Sequence, residues 1–538
     1  MSTIVDRPVV ENSPLPGRQE AVRLPQAARP AAQPPERPLH LWEAYALVFV
    51  SSACTLVIEI LAGRLLAPYL GVSLYTWTSI IGVILAGITV GNYVGGALAD
   101  RAASRALLRR LYLYSVVTVI AIIVLAPTAA DRLSVTALPL MLRIVLTTVV
   151  AFLVPATILG TITPIVVKLS LHRLDDAGLT VGRIYAVSAA GSIGGTFLTG
   201  FLLIDLFGSR VIVMLVAATL LLCGLVVAPW RVARAERVLP TLVLAFLLLA
   251  TPFLYAVKAL PGPCATETSY FCIRTEQIRA RDGRQATGVF LDRLMHSSLI
   301  LDDPQYLGYE YEEAYRVLTD DRLVRDPALN LLIIGAGGYA FPRYMVAQHP
   351  QASVEVLEID PGVVRFNQER LALPVDSPIV SHVGDARLFL NGANGPTPRN
   401  KYAVVHEDAI NDVSVPYHLT TLEFHHLVKQ SMTPDGLYLI NLIDSGRQGR
   451  FVQAYVNTLQ RAFGHIAIYA LNGQIGHPGH ATFVIAASDA PFSVLPIAGW
   501  TAYAPDDFAR QFIARVDLIL TDDHAPVDTL LQPALNDR

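Results

Sequence analysis

The sequence predicts a multi-span α-helical membrane domain followed by a doubly wound α/β domain, which begins with a small β subdomain. Three observations predict this fold class. The 538 residues are 53% hydrophobic and only 16% charged, whereas soluble globular chains carry about 25% charged residues. Apolar runs near twenty residues long fill the first half of the chain, and strand and helix patterns alternate in the second half. The chain is therefore predicted to be a membrane protein with a sizeable soluble part.

Charge and composition exclude several classes of protein. The formal net charge of −3 gives no basic excess, so we predict no nucleic-acid partner. Four cysteines are too few for a disulfide scaffold. Residues 1–40 are rich in Pro, Ala and Arg and hold few large apolar residues, so we expect a disordered tail.

The predicted membrane domain covers residues 41–258. A helix rises 1.5 Å per residue, so about twenty apolar residues cross about 30 Å of hydrocarbon. The short connections predict a compact bundle, in which Pro155 and Pro164 could kink the fourth helix. Gly191 and Gly195 are spaced to let two helices approach closely. The seven predicted spans are residues 42–63, 76–98, 108–127, 139–167, 182–204, 209–230 and 239–257.

The orientation of the helices remains open at the sequence level. Lys and Arg are concentrated in the second, fourth and sixth connections. The positive-inside rule then places these connections in the cytoplasm and the soluble part outside, if the count of seven is right. Cys264 and Cys272 could form a disulfide there, which would suit an oxidising compartment, but two free thiols are equally ordinary.

Two ionisable residues stand in or near the first span. Glu59 is costly in lipid unless it is paired or faces a cavity, so it indicates either a functional pocket or a structural ion pair. Arg64 is near the end of the run and could reach the interface with its long side chain.

The soluble part is predicted to begin with a β subdomain over residues 259–305. It contains "TSYFCIRTEQIRA", a turn at Asp282–Gly283 and "GVFLDRLMHSSLIL". An α/β domain follows over residues 306–538. Its strands are expected in "ALNLLIIGAGGYA", "SVEVLEID", "IVSHVGDA", "YAVVHEDAIND" and "GLYLINLI", and their alternation with helices favours a doubly wound, mostly parallel sheet.

A glycine turn and two carboxylates indicate an adenosine-containing ligand. Gly335, Gly337 and Gly338 lie where the first of these strands meets a helix, and glycines there allow a ligand to approach the backbone closely. Glu358, at the end of the second strand, can accept both hydroxyl protons of a ribose. Asp385, at the end of a later strand, is placed to accept from an adenine amino group. The alternative is a tight turn without a ligand beside solvated acidic residues.

Asp408 ends the strand "YAVVHED" at the carboxyl edge, where doubly wound sheets bind ligands. A carboxylate there could deprotonate a nucleophile or hold an amine. The structural alternative is a helix cap or a solvated loop. Tyr417 and His418 lie in a loop that is predicted to lead into a helix over this edge. Both could line the pocket, and the alternative for His418 is a structural histidine.

Together these motifs resemble the spermidine synthase (polyamine aminopropyltransferase) family. The resemblance rests on "GAGGYA", "VLEIDP", "VGDAR" and "EDAINDVSVPYHLTTLEF", and covers roughly residues 265–460. "LDRLMHSSLILDDPQYLGYEYEEAY" is similar to the stretch that links this family's small strand domain to its Rossmann-like domain. The hydrophobic half resembles bacterial proteins that fuse a multi-span membrane domain to such a domain. The resemblance therefore implies a multi-pass protein of the bacterial cytoplasmic membrane with a Rossmann-like, spermidine synthase/methyltransferase-type domain.

The resemblance also implies roles for individual residues. The donor would be decarboxylated S-adenosylmethionine or S-adenosylmethionine, and the acceptor a small amine or polyamine. Glu358 would bind the ribose and Asp385 the adenine. Asp408 would be the acidic residue of the catalytic loop, whose carboxylate helps deprotonate the attacking amine. No metal is implied, and a homodimer is possible. We assign the substrate pocket to Tyr270, His296, Tyr311, Asp412 and Tyr417.

The chain departs from the family pattern on the polyamine side. Active members carry an aspartate in the glycine turn where this chain has Gly338. The second aspartate of the catalytic loop appears as Asn411, with Asp412 next to it. Three functions follow from the sequence: aminopropyl or other alkyl transfer to an amine, methyl transfer from S-adenosylmethionine, and a non-catalytic, ligand-sensing transporter or scaffold.

Overall fold

The first half of the protein is a bundle of long helices. The structure, a computed structural model, describes residues 39–171, 177–227, 234–393, 395–409 and 415–536. Nearly all of the predicted tail therefore lies outside the described residues. Seven helices among the described residues are long and apolar enough to cross a membrane, and each overlaps one of the predicted runs. They are Leu41–Leu70, Leu74–Ala102, Arg105–Ser134, Leu140–Ser170, Ala177–Leu206, Ser209–Val226 and Val238–Ala256.

Small residues allow the first and fifth of these helices to touch, as predicted. A Cβ atom added at Gly191 would lie 2.2 Å from the carbonyl oxygen of Phe49, and one added at Gly195 would lie 2.5 Å from that of Ala53. Any larger side chain would push the two backbones apart. The fourth helix widens into a π-helical segment, Val149–Leu153, shortly before Pro155, whose nitrogen carries no proton to donate.

Four short strands form the small sheet that follows the helices. They are β1 (Thr266–Glu267), β2 (Cys272–Arg279), β3 (Gln285–Leu291) and β4 (Leu294–Leu299). Each pairs with the next in antiparallel fashion. The predicted turn at Asp282–Gly283 joins β2 to β3, with Gly283 at φ +86°. A disulfide bond joins Cys264 to Cys272, which decides between the two states that the sequence left open.

An eight-stranded sheet organises the rest of the chain, in the order β12-β10-β11-β9-β8-β5-β6-β7. The five strands from β7 to β9 in this order are parallel, as predicted for a doubly wound sheet. The last three strands are antiparallel because β10 and β11 form a hairpin that adds to β9. The strands are β5 (Asn330–Ile334), β6 (Ser353–Glu358), β7 (Val380–Val383), β8 (Tyr402–Glu407), β9 (Met432–Ser445), β10 (His465–Leu471), β11 (His480–Ser488) and β12 (Trp500–Tyr503).

Apolar clusters cover both faces of this sheet. Along β5, Leu332 and Ile334 pack into one cluster, and Leu331 and Ile333 pack into the other. Burial on both faces explains why the strand reads as a continuous apolar run. The helices of this region are Glu310–Arg325, Ala340–Gln348, Pro361–Arg370, Ala386–Leu390, Leu422–Ser431, Arg450–Ala462, Pro505–Ala509 and Val527–Asn536.

The carboxyl ends of the central parallel strands meet at one edge. The backbone N–H of Gly335, just after β5, donates to the carbonyl oxygen of Leu357 at 2.9 Å. The N–H of Asp408, just after β8, donates to that of Ile334 at 2.8 Å. The glycine turn and the acidic strand end are thereby brought side by side.

Candidate active site

A cavity of about 670 Å³ opens at this edge of the sheet. Six of the predicted site residues line it together: Gly335, Gly337, Glu358, Asp385, Asp408 and His296. The prediction that the strand-end carboxylates and the glycine turn face one space therefore agrees with the structure.

The glycine turn is tight because backbone lies on both sides of it. Gly335 has φ +89°, and a Cβ atom there would lie 2.3 Å from the carbonyl oxygen of Asp408. Gly337 has φ +49°, which also favours glycine. Gly338 lies against β4 instead of lining the cavity: its N–H donates to Oγ of Ser297 at 2.8 Å. The turn therefore presents Gly335 and Gly337 to the cavity, and Gly338 to the small sheet.

Glu358 is held at the floor of the cavity by backbone groups. Its carboxylate accepts hydrogen bonds from the N–H groups of Ala336, at 3.1 Å, and Asp360, at 3.0 Å. The residue is only 5% exposed. Burial raises the pKa of Glu358 to about 7, although the two backbone hydrogen bonds act in the opposite direction. The carboxyl group is thus oriented and close to its titration point at neutral pH.

Asp385 caps a short helix and also faces the cavity. Its Oδ1 accepts from the N–H of Leu388 at 2.9 Å, and its Oδ2 lies 2.8 Å from Nε2 of His418. His418 lines the same cavity. A ligand amino group that reaches Asp385 would therefore share the carboxylate with this imidazole.

Asp408 sits where two cavities meet. A second space of about 420 Å³ adjoins the first, and Asp408 lines both. Oδ2 of Asp408 accepts from the hydroxyl of Tyr311 at 2.7 Å, and Oδ1 accepts from Nδ2 of Asn441 at 2.9 Å. Burial raises the pKa of Asp408, and these two hydrogen bonds oppose the rise. Both oxygens are fixed in direction, as a group that accepts a proton from a substrate must be.

The smaller cavity contains a second acidic side chain, Glu312. It is 3% exposed, and its Oε2 accepts from the N–H of Tyr309 at 2.9 Å. Burial raises the pKa of Glu312 to about 8, and the nearby Asp408 charge adds to this rise. Glu312 is therefore mostly protonated at neutral pH, and a cation bound in this space would favour the ionised form of both carboxyl groups.

The other polar residues of the strand end have structural partners. His406 is fully buried, with Nε2 3.0 Å from Oγ1 of Thr319, and burial lowers its pKa to about 3. Glu407 accepts a hydrogen bond of 2.9 Å from the hydroxyl of Tyr455 and another from Tyr438. Burial raises the pKa of Glu407 to about 7. Because Glu407 lines neither cavity, the acidic character of the site comes from its neighbours.

The predicted substrate-pocket residues are distributed unevenly. His296 lines both cavities, and Tyr311 lines the smaller one. Tyr270 and Tyr417 are 48% and 57% exposed and line neither cavity. Their chain neighbours line the larger cavity instead, for example Phe271 next to Tyr270. Tyr417 begins a short 3₁₀ helix, and its neighbours Pro416 and His418 line the larger cavity.

The remaining predicted residue, Asp412, lies outside the described residues. The residues of the site that the sequence analysis missed include Ser297 and Asn441. Asn441 gave a signal, since it is a polar residue in the apolar run "GLYLINLI". Among the side chains that the structure describes, no group of three or more His, Cys, Asp or Glu could hold a metal ion.

Relatives of part of the chain are transferases. The chain is 25% identical over 169 residues to a probable polyamine aminopropyl transferase of Bifidobacterium longum, covering 31% of this chain and 35% of the relative. It is 29% identical over 117 residues to a polyamine aminopropyltransferase of Vibrio vulnificus, covering 22% and 38%. It is 21% identical over 182 residues to an eEF1A lysine and N-terminal methyltransferase of Mus musculus, covering 32% and 26%. The matches thus span only about a third of these relatives' own length.

Similar solved structures include a probable spermidine synthase from Corynebacterium glutamicum. It has a TM-score of 0.41 and 19% identity, and the alignment covers 47% of this chain and 95% of that one. The human methyltransferase-like protein 13 in complex with SAH has a TM-score of 0.30 and 18% identity, with 42% and 92% covered. No protein-family model matches the chain.

Proposed function

We propose that this protein is a membrane-anchored transferase that moves an aminopropyl group from decarboxylated S-adenosylmethionine to an amine. One observation carries the proposal: Asp408 and the turn from Gly335 to Gly337 line two adjoining cavities at once. A donor in the larger cavity and an acceptor in the smaller one would meet at this carboxylate. The seven apolar helices support the membrane anchor.

The larger cavity suits an adenosine group. Glu358 lies at the end of β6, where a carboxylate can accept from two ribose hydroxyls. Asp385 lies at the next strand end and can accept from an adenine amino group. The open backbone at Gly335 and Gly337 leaves room for the ligand between them.

The charges around the site favour the decarboxylated donor. Glu312, Glu358, Asp385 and Asp408 line the two cavities, whereas no Lys or Arg does so within the described residues. The undescribed residues 410–414 contain neither type. The carboxylate of S-adenosylmethionine would therefore meet negative charge without a cationic partner. Decarboxylated S-adenosylmethionine lacks this group and brings an amine and a sulfonium, both of which acidic side chains attract.

The chemistry follows from the position of Asp408. The lone pair of a neutral acceptor amine attacks the propyl carbon bonded to the sulfonium sulfur, and a new C–N bond forms. The C–S bond breaks, and its electron pair stays on sulfur to give the neutral thioether 5′-methylthioadenosine. Asp408 accepts the proton that the attacking nitrogen loses, while Tyr311 and Asn441 hold the carboxylate in place.

Methyl transfer from S-adenosylmethionine is a second candidate. Ser297 lies against Gly338, where the family resemblance implies an aspartate that holds the amine of the donor. Without that clamp the site has less to distinguish an aminopropyl donor from a methyl donor. A relative of part of the chain is named as a methyltransferase, which is consistent with this candidate.

The disulfide is relevant to which side of the membrane the soluble part occupies. A bond between Cys264 and Cys272 is typical of oxidising compartments, and the charge distribution of the connections favours the same, non-cytoplasmic side for the soluble part. A reporter fused after Arg538 that is active in only one compartment tests this placement.

Titration and product analysis test the proposed reaction. The full chain in lipid nanodiscs is titrated with decarboxylated S-adenosylmethionine, S-adenosylmethionine and 5′-methylthioadenosine, then incubated with putrescine and each donor. We expect binding of the decarboxylated donor and a mass gain of one aminopropyl group on putrescine. A methyl product would support the second candidate, and absence of binding by all three compounds would overturn both.

A further inference from the structure

Residues of the long apolar helices make hydrogen bonds to one particular loop of the soluble part. We call the segment from Cys264 to Cys272, closed by their disulfide, the disulfide loop. Arg64, near the end of the first long helix, donates from one terminal nitrogen to the carbonyl oxygen of Ser269 at 2.9 Å and from the other to that of Thr268. The side chain that the sequence assigned to the lipid interface therefore binds two successive carbonyl groups of this loop.

Two further helix ends hold the same loop. Oε2 of Glu267 accepts from both the N–H and the hydroxyl of Ser209, at 2.8 and 2.7 Å, at the start of the sixth long helix. The hydroxyl of Ser269 donates to Asp205, at the end of the fifth helix. Three consecutive loop residues are thus fixed by the ends of three membrane helices.

The opposite side of the loop reaches the donor cavity. The hydroxyl of Thr268 donates to Oδ2 of Asp360, and the N–H of Asp360 donates to Oε1 of Glu358 at 3.0 Å. Phe271 of the same loop lines the larger cavity directly. A continuous path of hydrogen bonds therefore runs from Arg64 through Thr268 and Asp360 to the carboxylate proposed to bind ribose.

We propose that Arg64 is a positioning residue for the donor. By fixing the carbonyl groups of the disulfide loop, it keeps the Thr268 hydroxyl on Asp360 and so keeps the Glu358 carboxylate in its orientation. The membrane domain then sets the affinity of the soluble site, in addition to anchoring it. This inference rests on the proposed function for the identity of the ligand, but the path of contacts does not depend on it.

Variants of the full chain in nanodiscs test the path through donor affinity. Arg64→Met removes both hydrogen bonds, and Arg64→Lys keeps the charge without the paired geometry. Thr268→Val keeps the Arg64 side chain and removes the hydroxyl, which donates to Asp360 and also accepts from the N–H groups of Tyr270 and Phe271 within the loop. We expect Arg64→Met and Thr268→Val to weaken binding of decarboxylated S-adenosylmethionine about tenfold, and Arg64→Lys to weaken it less. Turnover at saturating donor stays within about twofold of the wild type, since Asp408 is untouched. A purely structural role for Arg64 would lower turnover and stability without this selective effect on donor affinity.

Arg132→Met is the matched control. Arg132 lies in the last turn of the third long helix, is exposed, and makes none of the contacts described above. We expect this variant to bind the donor like the wild type. Equal loss of affinity in Arg132→Met and Arg64→Met would overturn the inference, because a general change at the helix ends would then explain both.

Backbone amide hydrogen exchange tests this path of hydrogen bonds without any ligand. The N–H of Gly362 donates to Oδ1 of Asp360 at 2.8 Å, so its protection reports whether this carboxylate is held. We expect faster exchange over residues 358–362 in Arg64→Met and Thr268→Val. Unchanged exchange over these residues in both variants overturns the inference, whether or not the wild type binds an adenosyl compound. If the wild type binds no adenosyl compound, that result by itself overturns only the proposed function. If the wild type binds the donor and Thr268→Val binds it with equal affinity, the inference is overturned and the proposed function is not affected.

Discussion

The hydroxyl of Tyr311 donates a hydrogen bond of 2.7 Å to Oδ2 of Asp408, and this contact joins the helix Glu310–Arg325 to the end of strand β8. The other oxygen of the carboxylate is held by Asn441 of strand β9. Three separate elements therefore fix one side chain at the junction of two cavities. Such over-determined placement is expected where a group must meet a reacting atom in one geometry.

Asp408→Asn is expected to lower turnover by about 10²- to 10⁴-fold, the range for loss of a positioned general base. The amide is close in size to the carboxylate but cannot accept the proton of the attacking amine. Donor affinity should stay within about threefold of wild type, because Glu358 and Asp385 are unchanged. Steady-state kinetics with donor titration separate the two quantities.

Tyr311→Phe is the graded control for this substitution. It removes one hydrogen bond to Asp408 and keeps the carboxylate, so we expect a loss in turnover of about tenfold. Equal turnover in the wild type and Asp408→Asn would contradict the role assigned to this residue.

Glu358→Gln is expected to weaken binding of 5′-methylthioadenosine by about 10- to 100-fold, the effect of losing hydrogen bonds to a charged acceptor. This probe carries no charge between pH 6 and 8, so its affinity reports the state of the protein. Because burial raises the pKa of Glu358 to about 7, affinity should rise from pH 6 to pH 8 as the carboxyl group ionises.

The variant Glu358→Gln should lose this dependence on pH. Glu369→Gln, which changes an exposed residue of the following helix, should bind like the wild type. A wild-type affinity that is flat across this pH range would contradict the assignment of Glu358 as the ribose acceptor.

The stability of the soluble part is expected to fall as pH rises from 5 to 8. Burial raises the pKa of Glu312 to about 8 and those of Glu358 and Glu407 to about 7. Between pH 4.5 and these values the folded state holds protons that the unfolded chain has released, so the free energy of unfolding falls with increasing pH. The loss is at most about 3 kcal/mol for Glu358 and for Glu407 and about 5 kcal/mol for Glu312. His406, whose pKa burial lowers to about 3, acts in the opposite direction between pH 5 and about 6.5, but the three carboxyl groups outweigh it.

Thermal unfolding of the full chain at pH 5, 6, 7 and 8 measures this dependence. Glu407→Gln keeps an acceptor for Tyr455 and removes one titrating group, so its midpoint should vary less with pH than that of the wild type. Glu369→Gln should leave the slope unchanged. A midpoint that rises steadily from pH 5 to 8 would contradict the assigned directions of the three pKa values.

The sequence was sufficient for the fold because its signals are local. Runs of about twenty apolar residues mark the seven long helices, and the alternation of strands with helices marks the parallel part of the sheet. The three antiparallel strands at the end of the chain were less evident from the sequence. Whether two strands are joined by a crossover or by a hairpin depends on which strand each one pairs with in the folded sheet.

The site was predictable where the topology alone brings residues together. Glu358, Asp385 and Asp408 follow the carboxyl ends of parallel strands, which meet at one edge whatever the side chains are. Ser297 comes from the small sheet, and its approach to Gly338 depends on how that sheet packs against the turn. The hydrogen bonds from Arg64 to the disulfide loop likewise depend on tertiary contacts, which no spacing in the sequence encodes.

Gly338→Asp is expected to destabilise the protein. A Cβ atom at this position would lie 2.6 Å from Cβ of Ser297, so the aspartate that the family resemblance implies does not fit beside this serine. Overpacking of this kind typically costs 1–3 kcal/mol, or several degrees in the midpoint of thermal unfolding. Unfolding scans of the full chain in nanodiscs measure the loss.

The double variant Ser297→Gly/Gly338→Asp removes the clash and should recover most of the lost stability. Pairing Gly338→Asp with Ser298→Gly is the matched control, since Ser298 is the next residue of β4 and contacts Gly308 instead. Equal recovery in both double variants would contradict the view that Ser297 occupies the place of the missing aspartate.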